Sequence, residues 1–271
     1  HDGLNFRNLD VKSGISDNYV RSVLRDQYGF MWFATLNGLN RYDGYQFKKY
    51  TTTQLGAYNN DIEFIAEDAA GNIWIKGPVS YYIYDREQDK LENKIQPVLN
   101  KYGITGEVSY LTVDKDYNLW CTVMDTLFHY DFAKSKLHTF QLPGKEKMQQ
   151  VVCRRSCAYL LFSNGEIARI DSNFQHIRPE TRRTISSGLQ YNLYIDTVDR
   201  LWFYASHASG LQCYDTNQKQ WIDYVGRQEV TDALITAVMD DGDGNLWIGT
   251  DDKGVYISYN QDKQLVRINK K

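Results

Sequence analysis

Several side chains in this sequence could bind a ligand. They are aromatic rings, amides and charged groups on loops of unequal length. The candidates for contact with a ligand are Asn37, Tyr58, Lys76, Tyr204, His207 and Asp251. Such groups suit a sugar, because aromatic rings stack on its apolar faces and polar side chains bond its hydroxyls. Lys76 and Tyr204 stand two places after a repeated tryptophan, where other copies carry small residues: Ala34, Thr122 and Gly249. The alternative is that Lys76 only extends along the surface and Tyr204 only packs.

A catalytic site is the second kind of chemistry to weigh. A glycosidase or lyase needs paired carboxylates or clustered arginines. The acids in suitable loops are Asp125, Asp251 and Asp252, which belong to different repeats, and no third residue joins Arg41 and Arg169 at their shared position. The histidines His1, His129, His138, His176 and His207 lack metal-ligand spacing. Residues 241–252 look like a calcium loop, but Leu246 stands where that loop needs glycine. We therefore predict no catalytic residue, no metal and no cofactor.

The scaffold that must position these side chains is marked by a repeated seven-residue unit that begins with aspartate and ends with tryptophan. The complete copies are Asp26 to Trp32, Asp68 to Trp74, Asp114 to Trp120, Asp196 to Trp202 and Asp241 to Trp247. A sixth copy has Leu160 in the tryptophan place. The mean spacing of about 43 residues lies in the range of propellers and solenoids. The aspartate and the turn glycine should fix a hairpin, and the indole should fill the space between blades.

Each repeat divides into four short strands separated by turn residues. Second strands such as residues 73–75 and 246–248 are apolar on consecutive positions, which indicates cover on both faces. Fourth strands show an apolar pair three residues apart: Phe47 and Tyr50, Leu137 and Phe140, Phe174 and Ile177, Trp221 and Tyr224, Leu265 and Ile268. The pattern predicts an all-β fold, a single β-propeller over residues 1–271 built of four-stranded antiparallel blades. The predicted blades are 15–50, 60–96, 106–142, 148–178, 189–225 and 233–269.

Residues 4–9 repeat the fourth-strand pattern ahead of the first complete copy. Propellers often close by letting one terminus supply a strand to the blade begun at the other, which removes exposed sheet edges. If six blades formed a closed ring, the strand at 265–268 would already fill the fourth place of the last blade, and residues 4–9 would have no place in the ring. We therefore predict a closing strand at 4–9 and a chain that is part of a seven-bladed propeller.

Turn lengths distinguish the two edges of the blades. Turns between first and second strands, and between third and fourth strands, are short and nearly uniform. The second-to-third turns and the connections between blades vary, the longest being 51–61, 97–107 and 178–190. Binding residues concentrate on variable loops held by a rigid scaffold, so the variable edge is the predicted ligand site.

Composition and charge limit the classes of partner that the chain is expected to bind. With 34 acidic and 31 basic residues the net charge is -3, which gives no electrostatic reason to expect nucleic acid. No apolar run approaches the ~18 residues that cross a bilayer. The chain begins at His1 without a signal peptide, so we expect a mature or excised segment. Cys153 and Cys157 could form a disulfide across a short turn, and buried thiols are the alternative.

Residues 29–44, GFMWFATLNGLNRYDG, closely resemble the two-component regulator propeller repeat, and so do residues 243–250, DGNLWIGT. Weaker copies extend the likeness over essentially the whole chain; Leu160 and the missing glycine at 80–82 depart from the pattern. The resemblance implies a seven-bladed propeller in the periplasmic sensor region of a hybrid two-component histidine kinase. The matching residues are those of the scaffold, so the family supplies no ligand-binding residue.

The function implied by this resemblance is detection of a glycan-derived oligosaccharide and control of polysaccharide-utilisation genes. The implied partners are further propeller and immunoglobulin-like domains of the same receptor, which would form a homodimer, and the segment itself would not be an enzyme. Two alternatives stay open: a protein-interaction platform, and a propeller glycosidase or lyase. The sequence does not identify the sugar.

Overall fold

The computed structural model describes residues 8–144, 146–154, 157–171, 173–186, 188–222, 230, 232–259 and 265–268. The chain divides into two compact units, His1–Thr139 and Phe140–Lys271. The described strands form six four-stranded antiparallel sheets, which are the blades of a β-propeller. The all-β propeller prediction is therefore confirmed. No helix in the described ranges is long and apolar enough to span a bilayer.

The first unit holds blades one to three, apart from Phe140 and Gln141 at the end of blade three, and its short helical segments lie in the connections. Blade one consists of β1 (Val20–Arg25), β2 (Met31–Thr35), β3 (Gly38–Tyr42) and β4 (Phe47–Tyr50). Blade two consists of β5 (Phe64–Glu67), β6 (Ile73–Lys76), β7 (Tyr81–Asp85) and β8 (Lys90–Glu92). Blade three consists of β9 (Val108–Val113), β10 (Leu119–Val123), β11 (Thr126–Asp131) and β12 (Lys136–Gln141). Two 3-10 helices, Val11–Ser13 and Thr53–Leu55, and one α-helix, α1 (Gln96–Lys101), complete this part.

The second unit holds blades four to six. Blade four consists of β13 (Met148–Arg154), β14 (Cys157–Phe162), β15 (Glu166–Ile170) and β16 (Ile177–Arg182). Blade five consists of β17 (Tyr191–Ile195), β18 (Arg200–Ala205), β19 (Gln212–Asp215) and β20 (Gln220–Ile222). Blade six consists of β21 (Ile235–Asp240), β22 (Leu246–Thr250), β23 (Val255–Ser258) and β24 (Leu265–Ile268).

Antiparallel order gives every blade two different edges. The first-to-second and third-to-fourth turns lie at one edge, which we call the hairpin edge. The second-to-third turns and the connections between blades lie at the other, which we call the loop edge. In blade one, for example, β1 pairs with β2 from Val20 opposite Thr35 at the loop edge to Arg25 opposite Met31 at the hairpin edge.

The turn after each first strand is built around the repeated aspartate. In blade one the Oδ1 atom of Asp26 accepts hydrogen bonds from the backbone N–H groups of Tyr28 and Phe30 at 3.0 and 2.9 Å. The fourth turn residue has positive φ in all five complete copies: Gly29, Gly71, Tyr117, Asp199 and Gly244. Glycine adopts this conformation at no steric cost, while Tyr117 and Asp199 are held in it by the same carboxylate bonds.

The other carboxylate oxygen of each aspartate binds the repeated tryptophan. Its Oδ2 atom accepts a hydrogen bond from the indole Nε1–H at 2.8 to 3.0 Å in all five complete copies. Four of these indoles are at most 2% exposed: Trp32, Trp74, Trp120 and Trp202. One aspartate thus satisfies both the turn and the only polar atom of a buried indole.

Three of the tryptophans, Trp32, Trp74 and Trp202, pack against the blade that follows them in the chain. Trp32 makes an edge contact with Tyr84 of blade two, with ring centroids 4.7 Å apart. Trp74 lies in one cluster with Leu111 of blade three. Blade six is the last blade in the described part of the chain, and its Trp247 is only half-buried. The prediction of five nearly buried tryptophans is therefore correct for four of them and wrong for Trp247.

Blade four lacks both members of the aspartate–tryptophan pair. Leu160, fully buried, fills the tryptophan place, and Arg154 stands six residues earlier in place of aspartate. A leucine has no N–H to satisfy, so the carboxylate is not needed. Arg154 reaches blade five instead: its Nη2 donates to the Thr197 carbonyl at 2.5 Å, and its Nε lies 3.1 Å from Asp199 Oδ1.

Some local expectations need correction. The connection from 97 to 107 is not wholly irregular, since α1 begins beside Pro97, a residue suited to a first helical turn. Phe174 is a turn residue with positive φ, so the fourth strand of blade four begins at Ile177. Cys153 lies opposite Ala158 and Cys157 opposite Arg154, and both cysteines are thiols. Residues 4–7 of the expected closing strand lie outside the described residues, so the seventh blade stays a prediction.

A charged cluster ties blade one to blade two at the hairpin edge. Asp89, in the β7–β8 turn with a φ of 50°, accepts hydrogen bonds from the Tyr50 and Tyr84 hydroxyls at 2.5 and 2.6 Å. Its carboxylate also accepts a bond from Arg41 Nη1 at 3.0 Å and one from the Lys48 ammonium. Burial opposes ionisation, but the bonds from Lys48 and both tyrosines outweigh it and hold the Asp89 pKa well below its usual value.

Replacing the buried Trp74 should cost much more stability than replacing the half-buried Trp247. Trp74→Ala empties a packed space and leaves the Asp68 carboxylate without its indole donor, so we expect a loss of about 3–5 kcal/mol. Trp247→Ala removes less buried surface and should cost clearly less. Urea unfolding of both variants, followed by circular dichroism, measures the difference. Equal losses of stability in the two variants would contradict the difference in burial between Trp74 and Trp247.

Asp89→Ala should destabilise the protein in a pH-dependent way. The expected loss at pH 7 is about 1–2 kcal/mol, because hydrogen bonds to a charged group are strong while partial exposure limits the gain. The folded pKa is lowered, so this stabilisation is complete above the unfolded value of ~3.9 and is lost as pH falls through the folded pKa. Unfolding free energies of both proteins, measured between pH 7 and pH 3, should therefore begin to approach each other below about pH 4. A difference that grows on acidification would refute the assignment.

Candidate functional site

The loop edge of the first unit carries three of the predicted ligand residues. Asn37 is exposed in the β2–β3 turn, and its Oδ1 lies 3.4 Å from Asn60 Nδ2. Tyr58, between β4 and β5, is 99% exposed, so its ring is open to a ligand. Lys76 ends β6 and pairs with Glu63, with Nζ and Oε2 2.8 Å apart. The lysine is therefore neutralised at the surface.

A second ion pair lies at the same edge of this unit. Arg21 Nη2 approaches Asp61 Oδ2 at 3.1 Å, and the guanidinium also stands 5.9 Å from the centre of the Tyr19 ring. Neither Arg21 nor Asp61 was among the sequence candidates. Their separation of 40 residues, close to the repeat length, is the signal that could have found them.

The ring of Tyr204 in the second unit is largely buried. Tyr204 is the last residue but one of β18, is 9% exposed and packs in a cluster with Leu211, Val230 and Val238. Burial raises the pKa of its hydroxyl, and a hydrogen bond with the backbone of Val238 partly offsets that rise. The position therefore matches the packing alternative better than the binding one.

His207 and Asp251 meet across blades five and six. His207 Nδ1 lies 2.5 Å from Asp251 Oδ2, and the two side chains are 61% and 40% exposed. The backbone fixes both residues: His207 N donates to the Ile235 carbonyl at 2.8 Å, and Asp251 N donates to the Leu234 carbonyl at 2.9 Å. The structure thus brings together two residues that the sequence offered separately.

This histidine–aspartate pair is an anchored, solvent-facing polar group. The imidazole and the carboxylate can together donate to and accept from adjacent hydroxyls. Asp252 has a structural task beside them, since its Oδ1 accepts the Leu234 N–H at 3.1 Å. Asp125 lies in the other unit, in the β10–β11 turn. No cluster of three potential metal-ligating side chains occurs in the described ranges.

A cavity of the first unit lies at the hairpin edge, opposite the predicted site. It measures about 660 Å³ and is lined by the first turns of blades one to three, including Tyr28 and Tyr117. Arg86 contacts three of its lining residues: the guanidinium binds Asp26 and Glu67 at 3.1 and 2.9 Å and lies 4.4 Å from the centre of the Tyr28 ring. Sequence reasoning missed this cavity because it treated the uniform turns as scaffold alone.

Two segments of the chain match a family model. Residues 14–37 and 230–252 match the family described as Two component regulator propeller. The resemblance drawn from residues 29–44 and 243–250 is therefore confirmed. No curated protein gives a significant sequence match.

Solved structures share the fold at low sequence identity. The extracellular domain of BT3049 from B. thetaiotaomicron, described as a hybrid two component system, matches 98% of this chain at 21% identity with a TM-score of 0.67. That of BT4673 matches 98% at 22% identity with a TM-score of 0.65. Virginiamycin B lyase from Staphylococcus aureus matches 93% of this chain and 85% of its own, at 13% identity with a TM-score of 0.62. The chain spans 37% of the BT3049 domain and 35% of the BT4673 domain.

Alanine substitution should separate a packed residue from a surface one. Tyr204→Ala removes a buried ring and should lower the melting temperature by several degrees, since a loss of about 3 kcal/mol is typical of such a cavity. Lys76→Ala breaks an exposed ion pair worth less than about 1 kcal/mol and should change it little. Thermal unfolding of the two variants checks the contrast. Equal, small effects would mean that Tyr204 does not support the fold.

Proposed function

We propose that this chain is the ligand-sensing propeller of a hybrid two-component receptor. The observation that carries the proposal is the match of residues 14–37 and 230–252 to the Two component regulator propeller family. The fold-level likeness to extracellular domains of such systems supports it. In this role the segment is not itself an enzyme. It changes its contacts on binding a ligand, and the change is read by a kinase elsewhere in the receptor.

The proposed ligand is an oligosaccharide released from a glycan, and the proposed output is transcription of polysaccharide-utilisation genes. Support for a sugar comes from the loop edge. Tyr58 offers an open ring, Asn37 an exposed amide, and the His207–Asp251 pair a fixed set of donors and acceptors. A sugar stacks on an open ring and bonds to polar groups of these kinds, so the ring and amide of the first unit and the polar pair of the second are two separate candidate positions.

The proposed setting is the periplasm, as part of an inner-membrane receptor. Because the chain spans little more than a third of the BT3049 domain, further propeller and immunoglobulin-like domains would complete the sensor, and the receptor would act as a homodimer. Its net charge of -3 agrees with a segment that does not itself bind nucleic acid.

An enzyme is the second candidate, favoured by the likeness to virginiamycin B lyase along 85% of that protein. The carboxylate–imidazole pair is an arrangement that can also move protons. A protein-interaction platform is the third. The three candidates predict different results with one set of ligands.

Isothermal titration calorimetry with a panel of neutral and acidic oligosaccharides tests the proposal. We expect one glycan class to bind, with no product detectable by chromatography. His207→Ala and Asp251→Asn should each weaken that binding about tenfold or more, because each removes a polar group fixed at the site. Asp116→Asn, which removes the same charge from the hairpin edge of blade three, is the matched control. Tyr117→Ala probes the hairpin-edge cavity.

The outcomes separate the candidates. Binding lost only in the Tyr117 variant would move the site to the hairpin edge. Product formation would establish the enzyme. Absence of any binding by a folded protein across the panel would favour the interaction platform and contradict the glycan proposal.

A further inference from the structure

Blades four and five repeat the geometry of the Asp89 cluster with one charge reversed. In blade one, Arg41 on β3 lies directly opposite Lys48 on β4. The next blade supplies Asp89, which lies between these cations and accepts hydrogen bonds from both. Tyr84 of that blade donates to the same carboxylate. These contacts define what the site requires: two cations on one blade and an anion from the next.

The corresponding positions in blades four and five hold three cations. Arg169 on β15 lies directly opposite Arg178 on β16. Tyr214 and Lys219 occupy the places of Tyr84 and Asp89: each tyrosine precedes the final aspartate of its strand, and each turn residue directly precedes the fourth strand. Lys219 even shares the positive φ, at 55° against 50° for Asp89. The backbone is thus the same, and an ammonium stands where the carboxylate was.

A cavity of about 270 Å³ opens at this place, lined by Arg169, Asp171, Arg178, Pro179, Glu180 and Lys219. Both acids have structural tasks. Asp171 Oδ1 accepts the Gln175 N–H at 2.8 Å, and Glu180 Oε1 accepts the Tyr214 hydroxyl at 3.2 Å. Three cations against two carboxylates leave the lining positive.

The Arg169 guanidinium is poorly satisfied within this lining. Its Nη2 donates to the Cys157 sulfur at 3.3 Å, and its buried Nε has no hydrogen-bond partner among the described residues. Arg178 and Lys219 have no ion pair within the described part of the chain. Like charges directly opposite each other destabilise a sheet, and a buried donor without an acceptor costs free energy. Each of these costs is removed by an oxyanion.

We propose that this cavity between blades four and five is a binding site for an oxyanion, which takes the place that Asp89 fills between blades one and two. Guanidinium groups bind carboxylate, sulfate and phosphate oxygens strongly. The volume is several times the ~30 Å³ of a water molecule, enough for a free anion or for the acidic group of a sugar. The site lies at the hairpin edge and does not rest on the glycan proposal for the loop edge.

Titration calorimetry at constant ionic strength tests the site, with sodium sulfate and sodium phosphate as free anions and a sulfated monosaccharide beside its neutral parent. The decisive variant is Lys219→Asp, which restores the carboxylate seen at Asp89 and should therefore remain folded. We expect saturable sulfate binding by the wild type, weakened at least about tenfold in Lys219→Asp and Arg178→Ala. Lys49→Asp, on the outer strand of blade one, makes the same change of charge elsewhere and should bind as the wild type does.

The melting temperature gives a second readout. Sulfate stabilises many proteins by exclusion from their surface. An increase in melting temperature therefore indicates binding only where Lys219→Asp abolishes it and Lys49→Asp retains it. A sulfated sugar that binds more tightly than sulfate would identify the anion as part of a glycan, and equal affinity would identify a free ion; both support the site. Equal responses of wild type and Lys219→Asp to every anion, or no saturable binding at all, would overturn it.

Discussion

The hydrogen bond from the tryptophan indole to the turn aspartate is the interaction on which five of the six described blades depend. It joins two requirements at one carboxylate: Oδ1 of Asp68 closes the turn, and Oδ2 satisfies Trp74 at 2.8 Å. Burial raises the pKa of Asp68, and the bonds from Asn72 and Trp74 work against that rise. A buried carboxylate is tolerated because its acceptor sites are used. The loss of both partners together in blade four, at Arg154 and Leu160, follows from this dependence.

Most of the fold could be predicted from the sequence, because its main determinants are local and repeated. Aspartate, a positive-φ position and tryptophan recur within seven residues, so each hairpin is specified without reference to distant parts of the chain. The predictions that were wrong concern features that the local sequence does not determine. Trp247 ends the same aspartate-to-tryptophan unit as Trp74 but is only half-buried, because a local motif does not determine what packs against the indole. The helix α1 could not be found from periodicity, since one and a half turns show none.

The candidate site was less predictable, because a loop position does not fix where its side chain points. Tyr204 and Lys76 hold the same place after the tryptophan, yet the first packs among apolar residues and the second pairs with Glu63. His207 and Asp251 were both selected for their loops alone. Their contact could have been inferred only by setting neighbouring repeats side by side, since the two residues are separated by 44 positions.

The residues that make contact between neighbouring blades are separated in the sequence by about one repeat length. The chemistry of each blade boundary is therefore set by pairs of residues about one repeat apart. Gln150 meets Leu193 and Arg154 meets Thr197, each 43 residues on. Arg41 meets Asp89 48 residues on, within the same kind of contact. A substitution in one copy therefore changes one blade boundary and leaves the others intact. Charge reversal at Lys219 alters the boundary of blades four and five while the backbone stays the same. A uniform scaffold can in this way carry chemically different sites at equivalent positions.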